Sequence, residues 1–175
     1  MRKIIKDRTI VDDDWNVFKL ADGDTPESVT VPAGRQIVPL AVWLAQKTTL
    51  AARGDIGVWL ASDERPEQLK EDAKSLPLIA VDFPSFADGR GYSIAYNLRA
   101  RVGYEGELRA IGDVLRDQLF YMSRVGFNAF ATREDRSIEE ALKGLTDFSD
   151  VYQTSWDQKT PLFRRVARPA AQDAR

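Results

Sequence analysis

Cysteine and histidine are both missing from the 175 residues, and these absences exclude whole classes of chemistry. Without thiolates or imidazoles the chain cannot ligate an iron–sulfur cluster through Cys or hold haem through a Cys or His axial ligand. Nor can it build a Ser-His-Asp or Cys-His nucleophile, or the usual zinc site. Acid–base work falls to Asp, Glu, Lys or Tyr. An oxygen-only Mg²⁺ site would need a carboxylate cluster, and none stands out. The expectation is therefore no resident cofactor and no metal, so that any redox reaction would need a borrowed cofactor. Long hydrophobic runs are missing too: no window approaches ~18 consecutive apolar residues, so no membrane-spanning helix is expected. Nor is there an excess of one charge. With 25 Lys and Arg against 27 Asp and Glu, a net −2 gives no reason to expect nucleic acid. The start, "MRKIIKDRTIVDDDW", turns acidic too soon for a signal peptide, and a cytoplasmic protein is the expectation.

What is present suits one globular domain: the length can enclose a real core, and 43% apolar with 30% charged residues is ordinary for such a domain. The expected domain covers 1–160, with 1–35 an irregular, β-rich lead-in and 161–175 a flexible tail. In the lead-in, "WNVFKL" alternates weakly, "ADGDTPES" is turn-rich and "VTVPAG" ends in Pro and Gly. "VPLAVWLAQKTTLAAR" reads as a helix with Pro39 near its first turn. From Gly54 a rhythm sets in. "DIGVWLAS", "LPLIAVDF", "GELRAIGD" and "FNAFATRE" read as strands. They alternate with helices in "RPEQLKEDAKSL", "GYSIAYNLRARV", "DVLRDQLFYMSRVG" (closed by Gly126) and "IEEALKGL" (capped by Ser137, with Glu140 at capping-box distance). A last strand is expected in "DVYQTS". Four alternations with mostly continuous apolar strands predict an α/β fold, a single domain with a mainly parallel sheet of about four βα units, either an open sheet or a partial barrel.

Ligands in parallel α/β folds bind beyond the carboxyl ends of the strands. Reading those ends gives Ser62 and Asp63, then Asp82 with the loop "ADGRGYS", then Arg109 and Asp113, then Thr132 and Arg133. From Arg90 to Arg133 there are seven arginines, no lysine and four acids, a local excess of positive charge. The planar Arg fork suits bidentate oxyanion recognition. A helix start at Gly91–Ser93 would add free backbone N–H groups. Asp82, Asp88, Arg90, Tyr92, Ser93, Arg109, Asp113 and Arg133 are the candidate anion-binding residues, with Arg90 and Arg109 expected in one strand-end cleft. Against this stands a simpler reading, in which Asp88-Gly89 makes a tight turn, Arg90 pairs with Asp88 or Asp82, and Arg109 pairs with Asp113 or Glu107. "GRGYSI" lacks the third glycine of a dinucleotide fingerprint, where Ile94 stands, and lacks the immediate preceding strand. There is no P-loop. Tyr92, Tyr96 and Arg99 are expected on one helix face, opposite Ile94 and Leu98, which could be solvated or a docking surface.

Taken together, "GVWLAS", "FADGRGYSIAYNLR", "GYEGELRAIGDVLRDQLFYMSRVGFNAF" and "DVYQ" resemble a bacterial family of domains of unknown function. Its members are usually described as probable oxidoreductases of sulfite reduction, encoded beside the assimilatory sulfite reductase. The resemblance runs from about Ile37 to Gln153. Asp88, Gly89, Arg90, Tyr92, Arg99, Arg109, Gly112, Asp113 and Gln118 match the family's recurrent blocks, which bring no established catalytic residues with them. The resemblance implies a place in sulfate assimilation, with sulfite reductase or its electron donor as partner. Six-electron sulfite reduction needs a redox centre that this chain cannot ligate with sulfur or imidazole. An accessory protein of a metal-containing sulfite reductase is the first expectation. The alternatives are a small enzyme or sensor binding an oxyanion or phosphorylated metabolite at the strand ends, and a flavin-dependent oxidoreductase without a recognisable cofactor motif.

Overall fold

The computed structural model describes residues 2–165. The chain order is β1 (Lys3–Lys6), β2 (Thr9–Asp12), β3 (Asn16–Val17), β4 (Gln36–Pro39), α1 (Leu40–Leu50) and β5 (Ile56–Leu60). A 3₁₀ helix (Pro66–Ser75), β6 (Leu78–Phe83), α2 (Arg90–Asn97), a π turn (Leu98–Val102), β7 (Glu107–Gly112) and α3 (Arg116–Val125) follow. The chain continues through β8 (Ala129–Phe130), α4 (Ile138–Lys143), a 3₁₀ turn (Gly144–Thr146) and α5 (Leu162–Arg165).

All eight strands form one sheet in the order β2-β1-β8-β7-β6-β5-β4-β3. From β3 to β8 every neighbouring pair is parallel; β1 joins β8, and β2 joins β1, antiparallel. From β4 to β8, successive strands step in one direction across the sheet. Right-handed crossovers then place the connecting helices on one face, and the sheet curls into an open half-barrel. The connection from β2 to β3 demands this curl. These two strands are the opposite edges of the sheet, yet only Asp13, Asp14 and Trp15 separate them. Laid flat, seven strand spacings would span about 33 Å, whereas four residue steps reach at most ~14 Å.

The helix-covered face carries the main core, including Val38, Val58, Leu60, Ile79, Val81, Leu108, Ala110 and Phe130. The concave face has a smaller cluster, Ile4, Ile37, Leu78, Ala80, Ile111 and Ala131, with Trp15 and Trp59 packed against it. Trp59 is anchored there by donating its indole N–H to the Phe18 carbonyl at 3.0 Å.

The mainly parallel α/β architecture agrees with the expected class, but eight strands, not about four units, make the sheet. β4 lies where a helix was expected to begin; Pro39, at φ −58° and ψ 148°, closes the strand and opens α1. "RPEQLKEDAKSL" winds as a 3₁₀ helix. Gly126 ends α3 at φ 119°, and the Ser137 hydroxyl accepts the Glu140 N–H, both as the sequence signals indicated. "DVYQTS" is not a strand. Its backbone instead meets Arg124, which donates to the Gln153 carbonyl at 2.5 Å. Of the tail expected over 161–175, Leu162–Arg165 make one helical turn and the rest lies outside the described residues.

Candidate functional site

The concave face has two ends with different chemistry. At the carboxyl end of the parallel strands is an open cavity of about 420 Å³, lined by Asp82, Ile111, Gly112, Ala131, Thr132 and Arg133 with Arg2, Val17, Lys19 and Glu134. Asp82 is the next-to-last residue of β6 and is half-buried. Burial pushes its carboxyl above the ordinary aspartate range; nearby Lys19 opposes the rise and Asp88 adds to it. No hydrogen bond from another described residue contributes to its state. Gly112 gives the carboxylate its room. It sits at φ +90°, and a Cβ there would stand 2.6 Å from Asp82 Oδ1 and 2.4 Å from the Phe83 carbonyl oxygen. Arg133, by contrast, is already engaged: its fork grips Asp135 at 2.9 and 2.8 Å and it reaches Asp113 at 3.1 Å.

Asp88 and Arg90 are not among the residues lining this cavity. Arg90 lays its guanidinium along Asp88 with Nε–Oδ1 at 3.0 Å and Nη2–Oδ2 at 2.7 Å, while its backbone N–H donates to the same Oδ1. The pairing holds the Asp88 carboxyl well below the usual range, with the Ser62 hydroxyl adding to the effect. The loop is pinned from below. Asp113 accepts the Phe86 N–H at 2.8 Å, and the Gln118 side-chain amide donates to the Phe86 carbonyl at 3.4 Å. Gly91 serves close packing, because a Cβ there would fall 2.6 Å from the Phe83 ring.

Arg109 does not share a cleft with Arg90, contrary to the expectation from strand ends. It is the third residue of β7, on the concave face near the amino end, and is 2% exposed. It donates to both oxygens of Asp13 at 2.9 and 3.1 Å and pairs with Glu107 at 2.6 Å; Lys6 closes the set on Glu107 at 2.7 Å. The chemistry is that of a buried structural network. Continuous packing of β7 places its inward side chain against the segment that crosses from β2 to β3, a pairing 96 residues apart that no local pattern reveals.

On the outer surface, α2 and α3 flank a groove of about 490 Å³ lined by Tyr92, Ser93, Tyr96, Asn97, Arg101 and Tyr121, with Val125, Thr154 and Ser155. Tyr92 meets Tyr121 edge-on at 5.1 Å and Phe83 at 5.3 Å, so it links groove to core. Tyr96 and Tyr121 are exposed. Arg99, expected on this face, turns inward instead. It donates to the carbonyls of Gly126, Tyr104 and Gly106 at 2.9, 2.7 and 3.0 Å, satisfying three acceptors in the two connections that flank β7 and β8.

A family model described as a bacterial protein of unknown function (DUF934) matches residues 57–163, more than half of the chain. The chain belongs to this family. No curated protein and no solved structure matches it. The family stretch supplies Asp82, Gly112, Thr132 and Arg133 of the cavity, the Asp88–Arg90 loop and the tyrosine groove. Of the eight candidate residues, Asp82 and Arg133 line the cavity. Asp113 supports it through Arg133 and the Phe86 N–H. Asp88 and Arg90 pair with each other, Tyr92 and Ser93 line the outer groove, and Arg109 is sealed in its network. Sequence reasoning missed Lys19 and Arg2, which reach the cavity from the lead-in; only the strand order brings them there. Among the described residues, no helix is long and apolar enough to cross a membrane.

Proposed function

We propose that this DUF934 member is an accessory protein of assimilatory sulfite reduction, docking on a metal-containing sulfite reductase and carrying no redox centre of its own. The observation that carries the reading is the tyrosine-lined groove between α2 and α3. It is built from the same "GRGYSIAYNLR" and "DQLFYMSRV" stretches that carry the resemblance to proteins of sulfite reduction. Tyr and Arg dominate the energetics of protein interfaces, and here Tyr96, Tyr121 and Arg101 line an open groove. The composition supports an assisting role, since the chain has neither Cys nor His with which to hold a sulfite-reducing centre.

The test combines a deletion with a binding measurement. Loss of the gene is expected to impair growth on sulfate and sulfite while leaving growth on cysteine intact. Purified protein is expected to bind the sulfite reductase of the same cell in sedimentation experiments. Tyr121→Ala with Tyr96→Ala should weaken that association about tenfold or more. Unimpaired growth on sulfite, or no association at micromolar concentrations, would overturn the proposal.

A second reading is favoured by a separate observation. The carboxyl-end cavity brings Arg2, Lys19 and Arg133 together at the position where parallel α/β sheets bind ligands. In that reading the protein binds a small oxyanion or phosphorylated metabolite, as an enzyme or as a sensor.

A further inference from the structure

The charges around the carboxyl-end cavity are matched unevenly. Arg133 is neutralised by Asp113 and Asp135. Arg2 has Glu134 at 3.9 Å. Lys19 and Asp82 are left over: they sense each other electrostatically, yet neither takes part in an ion pair within 4 Å among the described residues. An unmatched cation and an unmatched, half-buried carboxylate therefore face the same cavity of about 420 Å³, a size typical of small-molecule sites. Gly112 keeps one carboxylate oxygen free of side-chain cover, since any Cβ there would stand 2.6 Å from it. A half-buried carboxylate open to a cavity can accept from a donor on a bound ligand.

We infer that this cavity binds a small phosphate or carboxylate that also carries a hydroxyl or ammonium group, with Lys19 holding the anion and Asp82 accepting the donor. The inference rests on the oxyanion reading given above and narrows it. A bare oxyanion would satisfy Lys19 and leave Asp82 without a partner, while adding negative charge beside it. A ligand with both groups bridges the two. Thr132 and the Ile111–Ala131 floor line the space between polar ends. A hydrogen bond to a charged acceptor contributes enough to raise affinity about tenfold or more over the anion alone.

Calorimetric titration of the full chain at constant ionic strength, balanced with chloride, separates the two levels. Inorganic phosphate and acetate serve as bare anions; glycerol 3-phosphate, O-phosphoserine and glycerate carry the added donor. At least one substituted anion is expected to bind tenfold or more tightly than its bare counterpart. Asp82→Asn should abolish most of that advantage while leaving the bare anion's affinity unchanged or improved. Lys19→Gln should weaken bare and substituted anions alike. Asp82→Glu, which keeps the charge and displaces it, should also lose the advantage, and near-ultraviolet circular dichroism checks that each variant is folded. Equal affinities for bare and substituted anions in the wild type would overturn the inference and leave the oxyanion reading standing. No binding of any of the five would overturn both. A substituted-anion advantage that survives in folded Asp82→Asn would overturn the assignment of Asp82.

Discussion

At Asp82 the fold keeps a carboxylate half out of water, with the charge of Lys19 only partly opposing the effect of burial. Its folded pKa is raised above the ordinary 3.8. Between those two values the native state holds a proton that the unfolded state has released, so this group's contribution to stability falls as pH rises through the window. Above the folded pKa the penalty is constant; below 3.8 it disappears. Asp82→Asn removes the penalty, so the variant is expected to unfold at equal or higher urea than wild type at pH 7. That difference should shrink as pH falls towards 4. The gain is small because the group remains half solvated. A variant less stable at pH 7, or a gap that widens on acidification, would contradict this account. Arg90 and Arg109 make the contrasting case, since each already has its carboxylates. Charge composition alone did not separate these arginines from Lys19, which makes no ion pair within 4 Å among the described residues, because pairing is a property of distance.

At the level of elements, the strongest local signals translated directly. Largely apolar runs became β5 and β6, the expected strand in "GELRAIGD" became β7, Gly126 stopped α3, and Ser137 capped α4. The strand that the sequence hid is short and stabilised by distant neighbours: β4 has four residues between parallel partners, while the strand expected in "FNAFATRE" is present as the two residues of β8. Arg99 was legible as a helix residue but not as an inward one, because the π turn and the αL Gly103 that follow α2 alter the helical register. The β1–β2 hairpin had no turn signature for a related reason. Its two-residue turn puts Asp7 and Arg8 at φ 47° and 64°, the left-handed pair that usually calls for Asn-Gly or Asp-Gly. Asp7 tolerates this and is held by Asn128, whose side-chain amide donates to the Asp7 carboxylate at 3.1 Å while the Asn128 main-chain carbonyl accepts the Asp7 N–H at 2.9 Å. Arg8 has no such compensation in its backbone. Arg8→Gly is expected to stabilise the protein by up to about 1 kcal/mol, read as a higher urea midpoint with unchanged slope. A lowered midpoint would show that the Arg8 side chain contributes more than its backbone conformation costs.

Across the whole molecule, the curl of the sheet depends on the short crossing between its two edges. Asp13 lies in that crossing, 7% exposed, with both carboxylate oxygens on Arg109 in the middle of the sheet. The family match begins at residue 57, so it contains Arg109 and Glu107 but neither Asp13 nor Lys6. The half-barrel and its cavity therefore join residues of the matched stretch to a lead-in outside it, as Lys19 and Arg2 do at the other end. Removing one member of a buried ion pair leaves its partner charged and unsatisfied, at a cost of about 3–5 kcal/mol. Arg109→Met is accordingly expected to lower the melting temperature by on the order of 10 °C. Asp13→Leu should be similarly harmful alone, because Arg109 would keep only Glu107, itself shared with Lys6. The double variant removes both charges and is expected to be clearly more stable than the sum of the single losses predicts. Additive losses would mean that the two side chains do not act on each other, and that the edges of the sheet are held together by apolar contacts such as Trp15 on the concave cluster alone.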